Sequence, residues 1–373
     1  MKILLDGHFL DKKKEGSRTV IYSYLEGLAK IAGLDARFLD AFSFVVPVFQ
    51  PEYWQKHFAG LGSVRFIRTS RNAILRNQID FPRRAAGLHA DVLQSVYYLP
   101  LLSPKSLKKV LVIHDLLPFS HPQYFPKYFR FKFKKMVRLS QQRADCIVCG
   151  SAYSKAAIQD VFQIEDSRLR VIPYGINVDR YAAGPTDRVA DGFDAGFPKA
   201  PFILVVGRLD PRKGLRLVLD LFEKLRLDMD IRLVLVGGSD ALPATEMRLI
   251  VSLQAAGLLH WFQNISDEML TCLYRRARLL LFLPAVEGFG LPVLEAMAAG
   301  LPYLTIPRGG LKEITIKEAW VDVQDPQQMV RQAAQLLFDE KQREHFVQKG
   351  HEQVQKFRCE EMVRQYLCLY QQW

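Results

Sequence analysis

Between Arg278 and Ile306 the hydrophobic pattern changes character three times in quick succession. Arg278 to Pro284 is a short apolar run of strand length. Glu287 to Gly290 is a glycine-rich turn, the stretch up to Gly300 has helical composition, and Leu301 to Ile306 is apolar again. Strand, turn, helix, strand is the pattern of a parallel α/β unit. Gly288 and Gly290 let the backbone come close to a ligand. Pro292 fits the first helical turn, where its missing N–H costs nothing. The start of that helix points free N–H groups at the turn and favours an anion. Two carboxylates flank it, Glu287 at the strand end and Glu295 inside the helix. They fit a ligand that carries phosphate and sugar together, because a carboxylate accepts hydrogen bonds from sugar hydroxyls.

A chain of 373 residues, 49% of them hydrophobic, has room for two domains. No apolar run reaches the ~18–20 residues of a membrane helix. Met1 to Asp6 reads as a first strand, too short for a signal peptide. These features suggest a cytoplasmic protein, with the inner face of the cell membrane open to it as a peripheral site. Five cysteines, an odd number, suit a reducing compartment. Cys146 and Cys149 lie on a strand, where residues three apart face opposite sides, so they read as buried thiols. The net charge is +12, and its excess is N-terminal. Residues 1–175 hold 27 Lys and Arg against 14 Asp and Glu, whereas residues 176–373 hold 24 against 25. Such asymmetry points the first half at an anionic partner, a membrane surface or a phosphate-bearing acceptor. Nucleic acid is the competing partner, and no helix-turn-helix, zinc or RNA-recognition pattern supports it.

The chain opens on a strand, Lys2 to Asp6, and a charged loop, Asp11 to Glu15. Gly16 then starts an amphipathic helix running to about Ala32. A glycine there suits close approach to a phosphate. Strands follow at Phe44 to Phe49, Val64 to Arg68 and Asp91 to Ser95. Val110 to Ile113 is fully apolar and reads as a central parallel strand. His114 and Asp115 come next, at the end where open α/β sheets bind ligands. Phe125 to Arg138 interleaves aromatics with six cations. Such a helix lies on an anionic membrane surface, or it packs on the sheet with its lysines snorkelling outward. Ala144 to Gly150 reads as a further buried strand, and Ser151 caps the helix after it. Gly, Pro and Asp accumulate from Gly175 to Pro201, which reads as a linker and its flank. Phe202 to Val206 opens the second domain and leads into Gly207-Arg208-Leu209-Asp210-Pro211-Arg212-Lys213-Gly214. This turn is neither a dinucleotide fingerprint nor a P-loop. It carries Arg208, a bidentate clamp for phosphate oxygens, and Lys213, a point charge. Pro307 to Leu311 is a second glycine-rich turn.

Glu287-Gly288-Phe289-Gly290-Leu291-Pro292-Val293-Leu294-Glu295-Ala296-Met297 resembles the signature of retaining glycosyltransferases of the GT-B fold, family 4 in particular. The turn from Gly207 to Gly214, His114-Asp115-Leu116-Leu117-Pro118 and Leu169 to Asn177 resemble further segments of that family. The resemblance runs from about Leu99 to the C-terminus. It implies an α/β fold of two Rossmann-like doubly wound domains facing a cleft, with a C-terminal helix crossing back to the N-terminal domain. The N-terminal, acceptor-binding domain would comprise residues 1–178 plus about 356–373. The donor-binding domain would comprise residues 179–355. The implied reaction moves a hexose from a nucleotide-diphosphate sugar to an acceptor hydroxyl with retention of configuration.

In that family Arg208 and Lys213 would hold the donor diphosphate. No Asp-x-Asp motif stands at a suitable strand end, so neither metal nor other cofactor is expected. Glu287 would hold the sugar hydroxyls and Glu295 the ribose, with Gly288, Phe289, Gly290 and Leu291 completing the donor contact. His114 would reach sugar or diphosphate, and Asp115 would orient it or face the acceptor. Gly16 matches a loop that closes over the diphosphate, although the second glycine of Gly-x-Gly-Arg-Tyr is missing. Phe262 to Ser266 departs from the Phe-x-Gly-x-Val that often reads the base. The donor therefore stays open between GDP-mannose, favoured by the His114 segment, and a UDP-hexose. The acceptor would be a saccharide, free or lipid-linked, as in surface polysaccharide or glycan biosynthesis. A non-catalytic nucleotide-sugar binder and a nucleotide-sugar epimerase on the same fold are the alternatives.

Overall fold

The computed structural model describes residues 1–11, 16–182, 198, 200–239 and 242–373. The charged loop expected up to Glu15 and much of the linker expected from Gly175 to Pro201 lie outside those residues. The chain divides into two compact units, Met1–Gly175 with Arg358–Trp373, and Ile176–Phe357.

The first unit holds seven strands: β1 (Lys2–Leu5), β2 (Ser43–Val48), β3 (Val64–Arg68), β4 (Val92–Val96), β5 (Lys108–Val112), β6 (Cys146–Cys149) and β7 (Leu169–Val171). Their order is β3-β2-β1-β4-β5-β6-β7 and every neighbouring pair is parallel. Helices cover both faces of such a sheet, so its strands are apolar throughout. Accordingly Ile3, Leu4, Val110, Leu111, Ile147 and Val148 are fully buried. Cys146 and Cys149 are buried and in no disulfide. The order turns back between β1 and β4, and ligands of open α/β sheets bind beyond the strand ends at such a switch point. Helix α1 (Gly16–Leu34) buries Ile21, Tyr24, Leu25 and Leu28. Helix α2 (Lys127–Gln141) buries Phe133 and Val137.

The second unit holds β8 (Phe202–Val206), β9 (Arg232–Val236), β10 (Leu259–Phe262), β11 (Leu279–Phe282) and β12 (Tyr303–Thr305). The order β10-β9-β8-β11-β12 is again all parallel and turns back between β8 and β11. Helix α3 (Leu215–Leu225) follows β8. Helix α4 (Asp267–Arg276) is capped by the Ser266 hydroxyl, which accepts from the Met269 N–H at 3.1 Å. Helix α5 (Leu291–Ala298) has Pro292 in its first turn and is buried nearly all round, as befits a core helix.

The last helix, α6 (Cys359–Tyr370), belongs to the first unit. It lies against α1 so closely that a Cβ on Gly27 would stand 2.5 Å from the Cys359 carbonyl oxygen. The Tyr370 hydroxyl donates to Gln94 of β4. The C-terminal helix thus returns to the sheet on which the chain began. Among the described residues no helix is long and apolar enough to cross a membrane.

Candidate active site

The loop after β8 carries the first part of the site. Its residues Pro211–Lys213 form a 3-10 turn, with the Asp210 side chain accepting from the Lys213 N–H at 3.1 Å. Gly214 closes the turn at φ +71, and a Cβ there would lie 2.0 Å from the Leu283 carbonyl oxygen. Only glycine permits both the left-handed backbone and this approach. The loop is therefore pressed against the chain leaving β11, which brings its cations to Glu287. Lys213 Nζ lies 2.6 Å from Glu287 Oε2. Arg212 Nη1 lies 3.2 Å from the same oxygen and donates to the Val286 carbonyl at 3.1 Å. Lys213 Nζ also sits 4.9 Å above the Phe282 ring, a favourable cation–π distance. Burial alone would raise the Glu287 pKa, but the charges of Lys213 and Arg212 outweigh it and hold the carboxyl below its usual range. Arg212 Nη2 also lies 3.7 Å from Asp210 Oδ2, so the three cations of this loop, Arg208, Arg212 and Lys213, stand with two carboxylates at the switch point of this sheet. Arg208 stands exposed at the opening of the same loop.

The second glycine-rich turn braces this arrangement from behind. Gly310 N–H donates to the Glu287 carbonyl at 2.9 Å. A Cβ on Gly310 would meet the Gly288 carbonyl oxygen at 2.1 Å, so two backbones are packed directly together. Gly290, at φ 114, starts α5. Phe289 and Leu291 are only 5% and 8% exposed, and Phe289 packs edge-on against Phe357. Those two side chains serve the core, so contact with a donor would fall to the backbone. Glu295, expected at the ribose, is 5% exposed and accepts from the Tyr274 hydroxyl at 2.6 Å. Burial raises its pKa against the opposing hydrogen bonds of Tyr274 and Tyr181.

His114 belongs to the first unit and lies in the loop beyond β5. Its Nδ1 is 2.7 Å from the Tyr174 hydroxyl, and its Nε2 is buried with no hydrogen-bond partner. Tyr97 and Tyr174 stand edge-on to the ring at 5.6 and 5.2 Å. Burial pulls the pKa of His114 down from 6.5 to about 4. A cavity of about 20 Å³ adjoins it, lined in part by Asp6, Ser17 and Gln94; that is room for one water. The Asp115 carboxylate accepts from the Leu117 N–H at 3.1 Å and so shapes the turn after His114. Gly16 begins α1 with nothing within 4 Å of a would-be Cβ, so packing does not demand a glycine there. Among the described residues no group of three or more His, Cys, Asp or Glu is placed to hold a metal ion.

Sequence reasoning assigned Lys213 and Glu287 separately and did not foresee that they pair. It also left Arg212 without a role, although that residue sits beside Lys213 in the same string. Nothing in the local pattern marked Tyr174 as the partner of His114.

Two doubly wound parallel-sheet units, the second with a cationic loop and a glycine-braced glutamate at its switch point, define the GT-B class of glycosyltransferases. The glycosyl transferases group 1 family model matches residues 190–353, and the Glycosyltransferase Family 4 model matches residues 15–180. The chain belongs to this family. The serotype-specific mannosyltransferase WbdA of Escherichia coli is 33% identical over 224 residues, covering 56% of this chain and 27% of WbdA. The chain thus spans about a quarter of that relative. O-antigen chain mannosyltransferase B, also of Escherichia coli, is 26% identical over 310 residues, covering 82% of this chain and 81% of the relative. HepE from Anabaena, solved with UDP-glucose, superposes with a TM-score of 0.73 at 16% identity and full coverage of both chains. A sucrose-phosphate synthase from Thermosynechococcus elongatus gives 0.72 at 20% identity, covering 100% of this chain and 98% of that one. At these identities the structures speak to the fold.

The buried His114 yields a prediction for stability. Its folded pKa of about 4 lies below the ordinary 6.5, so between those values the folded chain binds fewer protons than the unfolded one. Stability from this group therefore falls as pH drops from 6.5 towards 4. Burial keeps Tyr97 and Tyr174 protonated throughout, and Asp6 is held below its usual range. Urea unfolding at pH 7 and pH 5 should show a loss of stability at pH 5 that shrinks in His114→Asn. An undiminished loss in the variant would rule out His114 as its source.

Proposed function

We propose that this protein is a retaining, metal-independent hexosyltransferase that moves mannose from GDP-mannose to a saccharide hydroxyl. The acceptor is free or lipid-linked, and the reaction belongs to surface polysaccharide or glycan assembly. The observation that carries this reading is the convergence of Lys213 and Arg212 on Glu287 at the switch point of the second sheet. In sugar transfer from a nucleotide diphosphate, negative charge grows on the leaving diphosphate while the sugar carbon becomes oxocarbenium-like. Arg208, Lys213 and the start of α5 stabilise the leaving group, which is the largest electrostatic demand of the step. Glu287, held in place by its two cations, accepts hydrogen bonds from the sugar hydroxyls. Gly16, Gly288 and Gly290 offer backbone to the donor. His114, neutral and orphaned at Nε2, contacts sugar or phosphate. Glu295 binds the ribose once Tyr274 or Tyr181 yields a carboxylate oxygen. Asp115 orients the acceptor side. Retention follows from front-face attack assisted by the departing diphosphate.

Mannose is favoured because WbdA and O-antigen chain mannosyltransferase B carry that activity in their names. A UDP-hexose is the second reading, supported by the UDP-glucose complex of HepE. The chain works in the cytoplasm on the inner face of the cell membrane, with α2 as its contact. Tyr128 and Phe131 on that helix are 78% and 70% exposed. Lys132, Lys135 and Arg138 are exposed on the same helix, which has no acidic residue. An anionic bilayer complements that face in charge and takes up its aromatics.

Two outcomes test the proposal. Arg208→Ala and Lys213→Ala should each lower kcat by roughly 10²–10³-fold, the scale for removing one preorganised stabilising group; losses below threefold in both would contradict the clamp. Flotation with phosphatidylglycerol vesicles should show binding that weakens with salt, and Lys132→Ala with Lys135→Ala should weaken it by roughly 30-fold at about 1 kcal/mol per cation. Equal binding to phosphatidylcholine vesicles would contradict an anionic surface as its partner.

A further inference from the structure

The switch point of the first sheet holds a charged group that the reading above leaves unused. Asp6 follows β1 and is 2% exposed, and His8, two residues on, is 5% exposed. Asp6 Oδ1 lies 2.6 Å from His8 Nδ1, and Asp6 Oδ2 accepts from the Ser95 hydroxyl of β4 at 3.0 Å. The pair therefore bridges the two strands between which the sheet order turns back. Burial alone would raise the pKa of Asp6, but His8, Arg76 and the Ser95 hydroxyl together hold it below the usual range. Asp6 is thus an anion at neutral pH, and it holds the His8 ring by Nδ1. Nε2 is left on the far side of the ring, and it is not among the buried side-chain atoms that lack a partner.

The loop that carries His8 is held rigid. Asp6 N–H donates to the Gln94 carbonyl at 2.9 Å, and Leu10 N–H donates to that of Gly7 at 2.9 Å. A Cβ on Gly7 would meet Val46 at 2.4 Å, so the loop is pressed onto β2. Asp11 accepts from the Phe49 N–H at 2.5 Å and from Trp54 Nε1 at 2.8 Å. Arg18 donates to the Leu10 carbonyl at 3.2 Å, and the Phe9 ring packs 4.0 Å from that of His8. An aspartate that fixes the orientation of an imidazole, on a locked loop, is the arrangement by which proteins present the far ring nitrogen to a substrate hydroxyl.

We propose that His8, oriented by Asp6, is an acceptor-binding residue whose Nε2 hydrogen-bonds a hydroxyl of the incoming saccharide. This rests on the transferase reading above. It assigns the acceptor side to residues that the reading above leaves out of donor binding. His8 is the residue that touches substrate, and Asp6 is a positioning residue that acts through it.

The test uses the full chain, GDP-mannose and UDP-glucose as donors, and octyl α-mannoside as the acceptor probe. Transfer, donor hydrolysis without acceptor, and GDP affinity are measured side by side. His8→Ala should lower transfer by about tenfold or more, the worth of one substrate hydrogen bond with its orientation. The acceptor KM should rise, while hydrolysis and GDP affinity stay at the wild-type level. His8→Gln, which keeps a side-chain amide able to hydrogen-bond a hydroxyl, should recover part of the loss and guards against a folding defect in the alanine variant. Transfer by His8→Ala within threefold of wild type overturns the assignment. Transfer, hydrolysis and GDP affinity falling together in both variants overturns it too, since that marks a structural role. A wild type that neither transfers nor hydrolyses either donor overturns the transferase reading itself, and the assignment with it.

Discussion

One oxygen of Glu287 receives both Lys213 and Arg212, and the ligand-facing end of the second unit is built around that contact. The cations come from the loop after β8 and the carboxylate from the turn after β11. Parallel pairing sets those strands side by side. Gly214 lets the first loop approach, and Gly310 lets a second turn support the glutamate from behind. Asp210 shares Arg212 at 3.7 Å, so Arg208, Arg212 and Lys213 stand with two carboxylates and the group is positive through Arg208. The strength of such a pair depends on its desolvation being matched by good geometry, and here the backbone packing supplies that geometry.

Much of this was legible in the sequence. Buried parallel strands are apolar runs, so β8 and β11 stood out, and the turns after them carried their charges in plain view. Pro292 marked the start of α5, and Ser151 marked another helix start by its capping chemistry. The Lys213–Glu287 contact was not legible because the two residues are 74 apart in the chain and meet only through strand order. The same holds for Tyr174 beside His114 and for Ser95 beside Asp6. Local pattern tells which residues end strands, and crossovers decide which strand ends meet. Phe289 and Leu291 show the opposite limit. They sit inside a binding motif, yet their side chains face the core, since a glycine-rich turn can offer backbone to a ligand while its apolar residues anchor it.

The two units divide the chemistry by charge. Residues 176–373 hold 24 Lys and Arg against 25 Asp and Glu, with three of those cations in the loop from Arg208 to Lys213, whereas residues 1–175 carry the excess of Lys and Arg. Part of that excess lies on α2, where exposed aromatics accompany it. The switch point of the first sheet is different again. Around it stand a buried anion, Asp6, and two imidazoles, His8 and His114, the second kept neutral by burial.

The central claim is that the loop from Arg208 to Lys213 and the Glu287 turn bind a nucleotide through its diphosphate. Calorimetric titration in EDTA, comparing GDP with GMP and UDP with UMP, tests this most directly. The account predicts that one diphosphate binds at least about tenfold tighter than its monophosphate, since a charge-assisted hydrogen bond contributes roughly 1.5–3 kcal/mol, and that Lys213→Ala closes the gap. Equal affinities for diphosphate and monophosphate, with Lys213→Ala unchanged, would contradict it.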